Sequence, residues 1–102
     1  MLITIFTPTY NRKEQIKRLY NSLKNQSYKD FEWLIVDDGS TDDTSELVHD
    51  FVEEKAILIK YIKQSNGGKH TAYNTALNYA EGKYFFCIDS DDWIGDNFLE
   101  KL

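Results

Sequence analysis

The sequence has 102 residues, with little cysteine or proline and no long apolar run. Cys87 is the only cysteine, so the chain can form no internal disulfide, and a reduced cytoplasmic setting is the simplest expectation. Its position inside an apolar stretch predicts a buried side chain rather than a nucleophile. No stretch approaches the roughly 20 apolar residues that span a bilayer, and the first residues lack the features of a signal peptide.

Positive charge is also scarce, and this restricts the partners that we expect. Twelve Lys and Arg residues stand against 17 Asp and Glu residues, which gives a formal net charge of −5. Nucleic acids and anionic membrane surfaces favour a basic face, so neither is expected as the main partner. An anionic ligand remains compatible with this charge if a divalent cation mediates the contact. The length and the 41% hydrophobic content indicate one globular domain over residues 1–102.

Short apolar runs alternate with segments that have the apolar spacing of helices. The runs at residues 2–7, 31–36, 57–62 and 84–88 are predicted to be β-strands. Strands that are apolar on both faces and alternate with helices indicate an α/β fold with a parallel sheet covered on each side. Right-handed crossovers then give a Rossmann-like sheet flanked by helices.

Proline, glycine and polar capping residues set the expected boundaries of these elements. Pro8 is predicted to end the first strand, because proline cannot donate to a sheet ladder. Asn11 is predicted to cap the first helix, and Ser40 or Thr41 to cap the second. Gly82 is predicted to close the third helix in the left-handed conformation that glycine adopts easily.

The conspicuous polar clusters of the chain all follow predicted strands. They are residues 7–11, 37–40, 65–70 and 89–93. The carboxyl ends of parallel strands meet at one edge of a sheet, which is where ligands bind in this architecture. The four segments are therefore expected to meet on one rim.

Two of these clusters are acidic. Asp37 and Asp38 alone are explained well by a turn and a helix start. Asp89, Asp91 and Asp92 directly follow an apolar run, and their mutual repulsion would be relieved by a divalent cation. Mg²⁺ and Mn²⁺ prefer oxygen ligands, and Mg²⁺ usually combines one or two carboxylates with substrate phosphates. An acidic loop of this kind predicts a diphosphate site.

The remaining candidates have two readings each. The Asn66-Gly67-Gly68 segment is either a loop with positive φ or a set of backbone N–H groups that, with Lys69, faces phosphate. His70 is either a diphosphate or sugar contact or a solvated loop residue. Tyr10 is equally consistent with a surface turn and with an aromatic wall for a base. Trp93 is expected to pack in the core under the acidic loop.

The order of the motifs resembles family 2 glycosyltransferases of the GT-A fold. The resemblance rests on Pro8-Thr9-Tyr10-Asn11-Arg12, on residues 33–42, on Asn66-Gly67-Gly68 and on residues 88–92, and it covers essentially the whole chain. It implies that Asp38 binds the nucleotide base, often uracil, and that Tyr10 packs near that base. Asp91 would ligate Mn²⁺ or Mg²⁺, and Asp89 would assist the metal or face the ribose. The other donor-binding candidates that it implies are Pro8, Lys69 and His70.

The resemblance also implies an activity. A sugar would move from a nucleoside-diphosphate donor, typically a UDP-sugar, to a hydroxyl of a glycan or lipid-linked acceptor in cell-surface polysaccharide or glycolipid synthesis. The reaction would be metal-dependent and inverting, so a carboxylate base is needed. Family members are longer and carry that base beyond this motif, so the base is expected beyond Leu102 and the chain is expected to be the nucleotide-binding half.

Such a half is expected in the cytoplasm or at the inner face of the membrane, and self-association through exposed sheet surface is expected. Two alternatives stay open. One is a non-catalytic nucleotide-sugar-binding module, which the lack of a matching base favours. The other is a Mg²⁺-dependent phosphoryl-transfer domain, which also uses acidic residues at strand ends.

Overall fold

The fold of this chain is seen in a computed structural model that describes residues 2–65 and 67–101, with only the backbone for Lys69 and His70. Four strands form one parallel sheet, which confirms the predicted α/β class. No helix within those residues is long and apolar enough to cross a membrane. The elements are β1 (Ile3–Thr9), α1 (Lys13–Lys24), β2 (Phe31–Asp37), α2 (Thr44–Glu54), β3 (Leu58–Lys63), α3 (Gly68–Tyr79), β4 (Tyr84–Cys87) and a 3₁₀ turn (Leu99–Lys101).

The path of the chain leaves a crevice at the carboxyl ends of the strands. It runs from β1 through β2 to β3 on one side, and then places β4 on the other side of β1. With right-handed crossovers this reversal puts α1 and α2 on one face of the sheet and α3 on the other. The strand order reverses at β1, and ligands bind at such a point in parallel sheets.

The larger core lies between the sheet and the first two helices. Ile16, Leu19 and Leu23 of α1 are fully buried, as their helical spacing predicts. Three aromatic rings join the helices to β2: the Tyr20 ring centroid lies 3.8 Å from that of Phe51 and 6.2 Å from that of Trp33. Each buried aromatic side chain removes a large apolar area from water, so this face supplies most of the hydrophobic stabilisation.

The smaller core lies under α3. Ala72 and Ala76 are fully buried against Phe6, Leu34 and Val36 of the sheet, and their small side chains allow the helix to approach closely. The outer surface of α3 and β4 leaves several large apolar side chains exposed. They are Tyr73, Leu77, Tyr79 and Tyr84. Self-association through exposed sheet surface stays a prediction.

The prediction that Pro8 ends β1 is wrong, since β1 continues to Thr9. The backbone carbonyl of Phe6 accepts a hydrogen bond from Ile88 N at 2.9 Å, which shows that Phe6 faces β4. Alternate residues of a strand face the same neighbour, so the backbone nitrogen of Pro8 also points to the β4 side. Because β4 has already ended at Cys87, the missing N–H of proline leaves no ladder bond unmade.

The predicted helix caps are also wrong. Asn11 lies before Arg12, the residue that caps α1, and it has a left-handed φ of 51°. The second helix begins after Asp43, rather than after Ser40 or Thr41. At both starts the predicted cap lies in the preceding loop, where contacts to other loops use its side chain.

Gly82 does not close α3 in a left-handed conformation, because Ala80 caps the helix in an extended conformation. The glycine is required for another reason. A Cβ atom on Gly82 would lie only 2.4 Å from the backbone nitrogen of Thr4. The backbone N–H of Gly82 donates to Thr4 Oγ1 at 2.8 Å, so the turn before β4 lies directly against β1.

The predicted burial of Cys87 is wrong as well, since its side chain is exposed. The strand that carries it, β4, pairs only with β1 and therefore forms an edge of the sheet. The hydrophobic character of the stretch predicted the strand correctly, but a sequence pattern does not show which strand lies at an edge.

A buried ionic network fastens the amino ends of the strands. The carboxylate of Glu32 is fully buried in β2, and its Oε2 accepts hydrogen bonds from Thr4 Oγ1 at 2.6 Å and Glu81 N at 2.7 Å. Lys60 Nζ lies 2.9 Å from Glu32 Oε1. Burial raises the pKa of Glu32, but the hydrogen bonds from Thr4, Glu81 and Lys60 outweigh it and hold the pKa below its usual value. The network joins β1, β2, β3 and the turn after α3.

Candidate functional site

Three of the four predicted rim segments line one cleft at the carboxyl ends of β1, β2 and β4, which we call the rim cleft. Gly67 and Gly68 of the fourth segment donate to Asp38 in that lining. The volume of the rim cleft is about 340 Å³. Residues from the loops after three strands contribute to it, so the sheet topology rather than local sequence brings them together. The lining residues are Pro8, Thr9, Tyr10, Arg12, Asp38, Ala72, Asp89, Ser90 and Asp91.

Hydrogen bonds across the strand ends fix the positions of these loops. Trp33 Nε1 donates to Thr7 Oγ1 at 2.9 Å, and Thr7 Oγ1 donates to the carbonyl oxygen of Ile88 at 2.8 Å. The backbone N–H of Asp38 donates to Thr9 O at 2.9 Å. The start of the acidic loop after β4 and the first residue after β2 are therefore both anchored to β1.

The Asp38 carboxylate lies at the N-terminus of α3 and is nearly fully buried. Its Oδ1 accepts hydrogen bonds from Gly67 N at 2.8 Å and Gln64 Nε2 at 3.1 Å, and its Oδ2 accepts one from Gly68 N at 2.8 Å. Burial raises the pKa of Asp38, but the donors Gly67, Gln64 and Gly68 outweigh it, so the pKa lies below its ordinary value. The group is therefore an anion at neutral pH, as the positive end of a helix dipole favours.

Asp37 and Asn11 shape the adjacent loop. Asp37 is buried at the carboxyl end of β2, where it accepts hydrogen bonds from Ser40 N at 2.9 Å and from the hydroxyl of Tyr61. Asn11 N donates to Ser40 Oγ at 2.8 Å, and Asn11 Oδ1 accepts from Thr41 N at 2.8 Å. Asp37 is thus a structural residue, as its turn position predicted, and Asn11 links the loops after β1 and β2.

Three carboxylates converge on the loop after β4. Oxygens of Asp89, Asp91 and Asp92 all lie within 4.8 Å of one another, and Asp92 N donates to Asp89 O at 3.0 Å to close the turn. Two oxygens on opposite sides of Mg²⁺ lie about 4.2 Å apart, given metal–oxygen distances of about 2.1 Å. These residues fit a divalent cation after a small adjustment. Among the described residues, the buried Thr9 Oγ1 in the same cleft has no hydrogen-bond partner.

Two arginines contact the acidic loop, Arg12 just before α1 and Arg18 within it. The sequence did not point to either contact. Arg12 Nη1 lies 3.7 Å from Asp91 Oδ2, and Arg18 Nη2 donates to the carbonyl oxygen of Asp91 at 2.9 Å. The Arg18 guanidinium lies 4.2 Å from the ring centroid of Trp93. Trp93 is 61% exposed, so its predicted core position is wrong.

Most of the sequence-predicted residues come together in the rim cleft. Thr9, Arg12 and Ser90 line it without having been singled out, and Gln64 acts through Asp38. Arg12 could have been found, because it directly follows the polar segment after β1. The predicted candidates that line the cleft are Pro8, Tyr10, Asp38, Asp89 and Asp91. Asn66 and the side chains of Lys69 and His70 lie outside the described part of the chain.

Comparison with known proteins gives a family match over nearly the whole chain. The family described as "Glycosyl transferase family 2" matches residues 4–102. The glycosyltransferase GlyA of Streptococcus pneumoniae serotype 4 is 39% identical over 100 residues, which cover 98% of this chain and 14% of GlyA. The chain spans between 14% and 40% of the length of the curated relatives that it matches.

Two solved structures show the same fold with donors bound. The crystal structure of Staphylococcus aureus TarS 1–349 in complex with UDP-GlcNAc superimposes with a TM-score of 0.89 and 34% identity, covering 99% of this chain and 30% of that one. The mannosyltransferase PcManGT from Pyrobaculum calidifontis, in complex with GDP-Man and Mn²⁺, gives a TM-score of 0.83 and 29% identity. That match covers 89% of this chain and 28% of PcManGT. The similarity supports the arrangement of strand ends described above.

Proposed function

The chain belongs to glycosyl transferase family 2, and on that premise we propose that its rim cleft holds a nucleoside-diphosphate sugar for transfer to an acceptor hydroxyl. The observation that carries the proposal is the rim cleft itself. It joins an ionised, buried carboxylate beside an aromatic ring, Asp38 and Tyr10, to the acidic loop that carries Asp89 and Asp91. The complexes of TarS with UDP-GlcNAc and of PcManGT with GDP-Man support a ligand of this class.

We assign the nucleotide base to the end of the cleft formed by Pro8, Tyr10 and Asp38. An ionised carboxylate has about four acceptor positions, and hydrogen bonds from Gln64, Gly67 and Gly68 occupy three in Asp38. One position remains for an N–H group of the base, such as the imide of uracil. The Tyr10 ring, which is 45% exposed, is available to pack against the base. A UDP-sugar is therefore our proposed donor.

We assign the diphosphate and the metal to the opposite end. Asp91 and Asp89 would hold Mn²⁺ or Mg²⁺, with Asp89 also near the ribose, and Asp92 completes the carboxylate cluster. When bound, the cation supplies Lewis-acid stabilisation of the negative charge that develops on the departing diphosphate. Lys69 and His70 remain proposed donor contacts. The complex of PcManGT with Mn²⁺ supports metal use in a related protein.

The proposed reaction is a single displacement at the anomeric carbon. The acceptor oxygen forms the new bond, the bond to the diphosphate oxygen breaks, and the acceptor proton passes to a carboxylate base, with inversion of configuration. We propose that this base lies beyond Leu102. The proposed acceptor is a glycan or lipid-linked hydroxyl, used in cell-surface polysaccharide or glycolipid synthesis on the cytoplasmic side of the membrane.

Calorimetry with UDP tests the site without the need for turnover. We expect the chain to bind UDP in the presence of MnCl₂ or MgCl₂ and not after chelation. Asp91→Asn should weaken binding by about tenfold or more, since one lost charge-assisted contact is worth roughly 1.5–3 kcal/mol. Asp50→Asn removes the same charge from an exposed position on α2 and should leave UDP binding unchanged. Absent binding, or binding that ignores the metal, contradicts the proposal.

A further inference from the structure

Arg12 is the basic residue that the fold places in the rim cleft. It follows β1 and immediately precedes α1. Its neighbour Asn11 is held to the loop after β2 by hydrogen bonds to Thr41 N at 2.8 Å and to Ser40 Oγ at 2.8 Å. The backbone next to Arg12 is therefore held by the loop after β2, while the Arg12 side chain remains 47% exposed.

The charges that line the rim cleft are unbalanced. In the part of the chain whose side chains are described, Arg12 is the only cation lining it, against the carboxylates of Asp38, Asp89 and Asp91. Asp38 is satisfied by three N–H donors. Arg12 is instead paired with Asp91, at 3.7 Å between Nη1 and Oδ2.

This ion pair is easily exchanged. Both partners are about half exposed, at 47% for Arg12 and 57% for Asp91, and pairs of that kind contribute only about 0–1 kcal/mol. A divalent cation at Asp91 would compete directly with the guanidinium for the same carboxylate. A displaced Arg12 would still line the same cleft as Asp38 and Asp91.

We propose that Arg12 exchanges between two anions: it neutralises Asp91 in the donor-free site, and it binds the diphosphate once a metal ion has taken Asp91. The planar guanidinium fork matches phosphate oxygens in a way that a single ammonium does not. The inference rests on the proposed function, because it names a contact to the same donor. In this inference Arg12 contacts the diphosphate; it neither contacts the nucleotide base nor serves only to stabilise the fold.

The exchange predicts effects of opposite sign, which a structural role would not produce. If Arg12 only oriented Asp91, its removal would weaken the binding of metal and of donor together. If it exchanges, its removal eliminates a competitor of the metal and a ligand of the diphosphate. The affinity for Mn²⁺ alone then rises while the affinity for UDP falls.

Calorimetry on the full chain measures both the change in Mn²⁺ affinity and the change in UDP affinity. For Arg12→Gln, we expect the Kd for Mn²⁺ alone to fall by about two- to fivefold, consistent with the loss of a weak exposed pair. At saturating Mn²⁺, the Kd for UDP should rise by about tenfold or more, as for the loss of a charge-assisted phosphate contact. The Kd for uridine, which lacks phosphate, should stay the same. Arg12→Lys, which keeps the charge but not the fork, should fall between wild type and Arg12→Gln for UDP.

Lys13→Gln is the matched control, because Lys13 adjoins Arg12 but its Nζ lies 3.7 Å from Asp43 Oδ2, outside the cleft lining. An equal loss of UDP affinity in Lys13→Gln would show a general charge effect and overturn the inference. Weaker Mn²⁺ binding in Arg12→Gln, or a loss for uridine equal to that for UDP, would also overturn it. If the wild-type chain bound neither UDP nor Mn²⁺, the proposed function would fail first, and this inference with it.

Discussion

Asp38 is the residue at which stability and the proposed binding role meet. Its two carboxylate oxygens accept hydrogen bonds from Gln64, Gly67 and Gly68, and these bonds hold its pKa below the usual value despite the opposing effect of burial. A group with a lowered pKa in the folded state stabilises the fold above its unfolded pKa, which is about 3.9 for aspartate. That stabilisation is lost as the pH falls through the folded pKa.

Asp38→Asn should therefore destabilise the fold in a pH-dependent way. The amide replaces one acceptor by a donor that faces a backbone N–H, so we expect a loss of about 1–3 kcal/mol at pH 7. Urea unfolding at pH 7 and at pH 3 measures it, and the difference from wild type should shrink at pH 3. Asp50→Asn on the exposed side of α2 should change stability by less than about 0.5 kcal/mol. A difference that stays constant with pH would contradict this account.

Asn11 combines a backbone requirement with a side-chain requirement. Its φ of 51° lies in the left-handed region, and its Oδ1 accepts hydrogen bonds from Thr41 N at 2.8 Å and Asp42 N at 3.2 Å. Asn11→Gly removes the side-chain bonds and keeps the conformation accessible, so we expect a loss of about 1 kcal/mol. Asn11→Ala adds the strain of a left-handed alanine, about 1–2 kcal/mol more. Thermal unfolding of the two variants separates the effects, and equal stabilities would show that φ carries no strain.

The turn from α3 to β4 packs directly against β1. A Cβ on Gly82 would lie 2.4 Å from Thr4 N and 2.6 Å from the carbonyl carbon of Ile3. Neither atom can move without shifting β1, so Gly82→Ala should destabilise the fold by about 1–3 kcal/mol or more. Gly95→Ala is the control, because a Cβ there meets nothing within 4 Å. Chemical unfolding should show a near-wild-type midpoint for Gly95→Ala; a similar midpoint for Gly82→Ala would contradict the packing argument.

The sequence predicted the elements better than it predicted their ends. Hydrophobic runs depend on burial in the sheet, and the sheet buries all of β2, so the pattern was sufficient there. Helix starts depend on which polar group a side chain meets. Asn11 is a residue type that often caps helices. Here its Oδ1 instead accepts hydrogen bonds from Thr41 N and Asp42 N in the loop after β2. Pro8 continues in β1 only because β4 is shorter on that side, and neither fact is local to the sequence.

The same limit applies to the candidate site. The acidic loop and Asp38 could be predicted because parallel strands bring their carboxyl ends together. The donors that surround Asp38 could not, since Gly67 and Gly68 lie about 30 residues away and contribute only backbone N–H groups. Arg12 directly follows the polar segment after β1, but the sequence does not show that its side chain turns toward Asp91 in the loop after β4. Charge patterns show which face is solvated on average, but they do not show which single side chain turns toward another loop.

At the scale of the whole molecule, two carboxylates, one in β2 and one directly after it, bind the two ends of α3. Asp38, directly after β2, accepts the N–H groups of Gly67 and Gly68 at the start of the helix. Glu32, near the start of β2, accepts Glu81 N just beyond its end. Lys60, paired with Glu32, donates to Tyr79 O at 3.2 Å. Between these ends α3 buries Ala72 and Ala76 and packs the ring of Tyr73 edge-on against Phe6 and Phe85. Because this apolar contact is small, we expect the attachment of α3 to depend strongly on the two ionised groups.

This arrangement predicts that acid loosens α3 before the other helices. The pKa values of Glu32 and Asp38 are both lowered in the folded state, so both contributions are present at neutral pH and are lost as the pH falls through the folded values. Helices α1 and α2 are also linked through a carboxylate with a lowered pKa, Glu54, which accepts hydrogen bonds from Tyr20 and Lys24, but this group is about half exposed and both helices pack against a larger aromatic core. Hydrogen exchange, corrected for the intrinsic rate at each pH, should show protection in α3 falling below about pH 4 while α1 and α2 stay protected.

The double variant Glu32→Gln and Asp38→Asn separates ionisation from a general effect of acid. It should reproduce the loss of protection in α3 at pH 7, where the wild-type helix is protected, and it should show little further change on acidification. Because the start of α3 supplies the donors that orient Asp38, loosening this helix should also abolish UDP binding while the aromatic core remains folded. Uniform loss of protection in all three helices would instead mean that the sheet and its helices unfold as one unit, with no special attachment of α3.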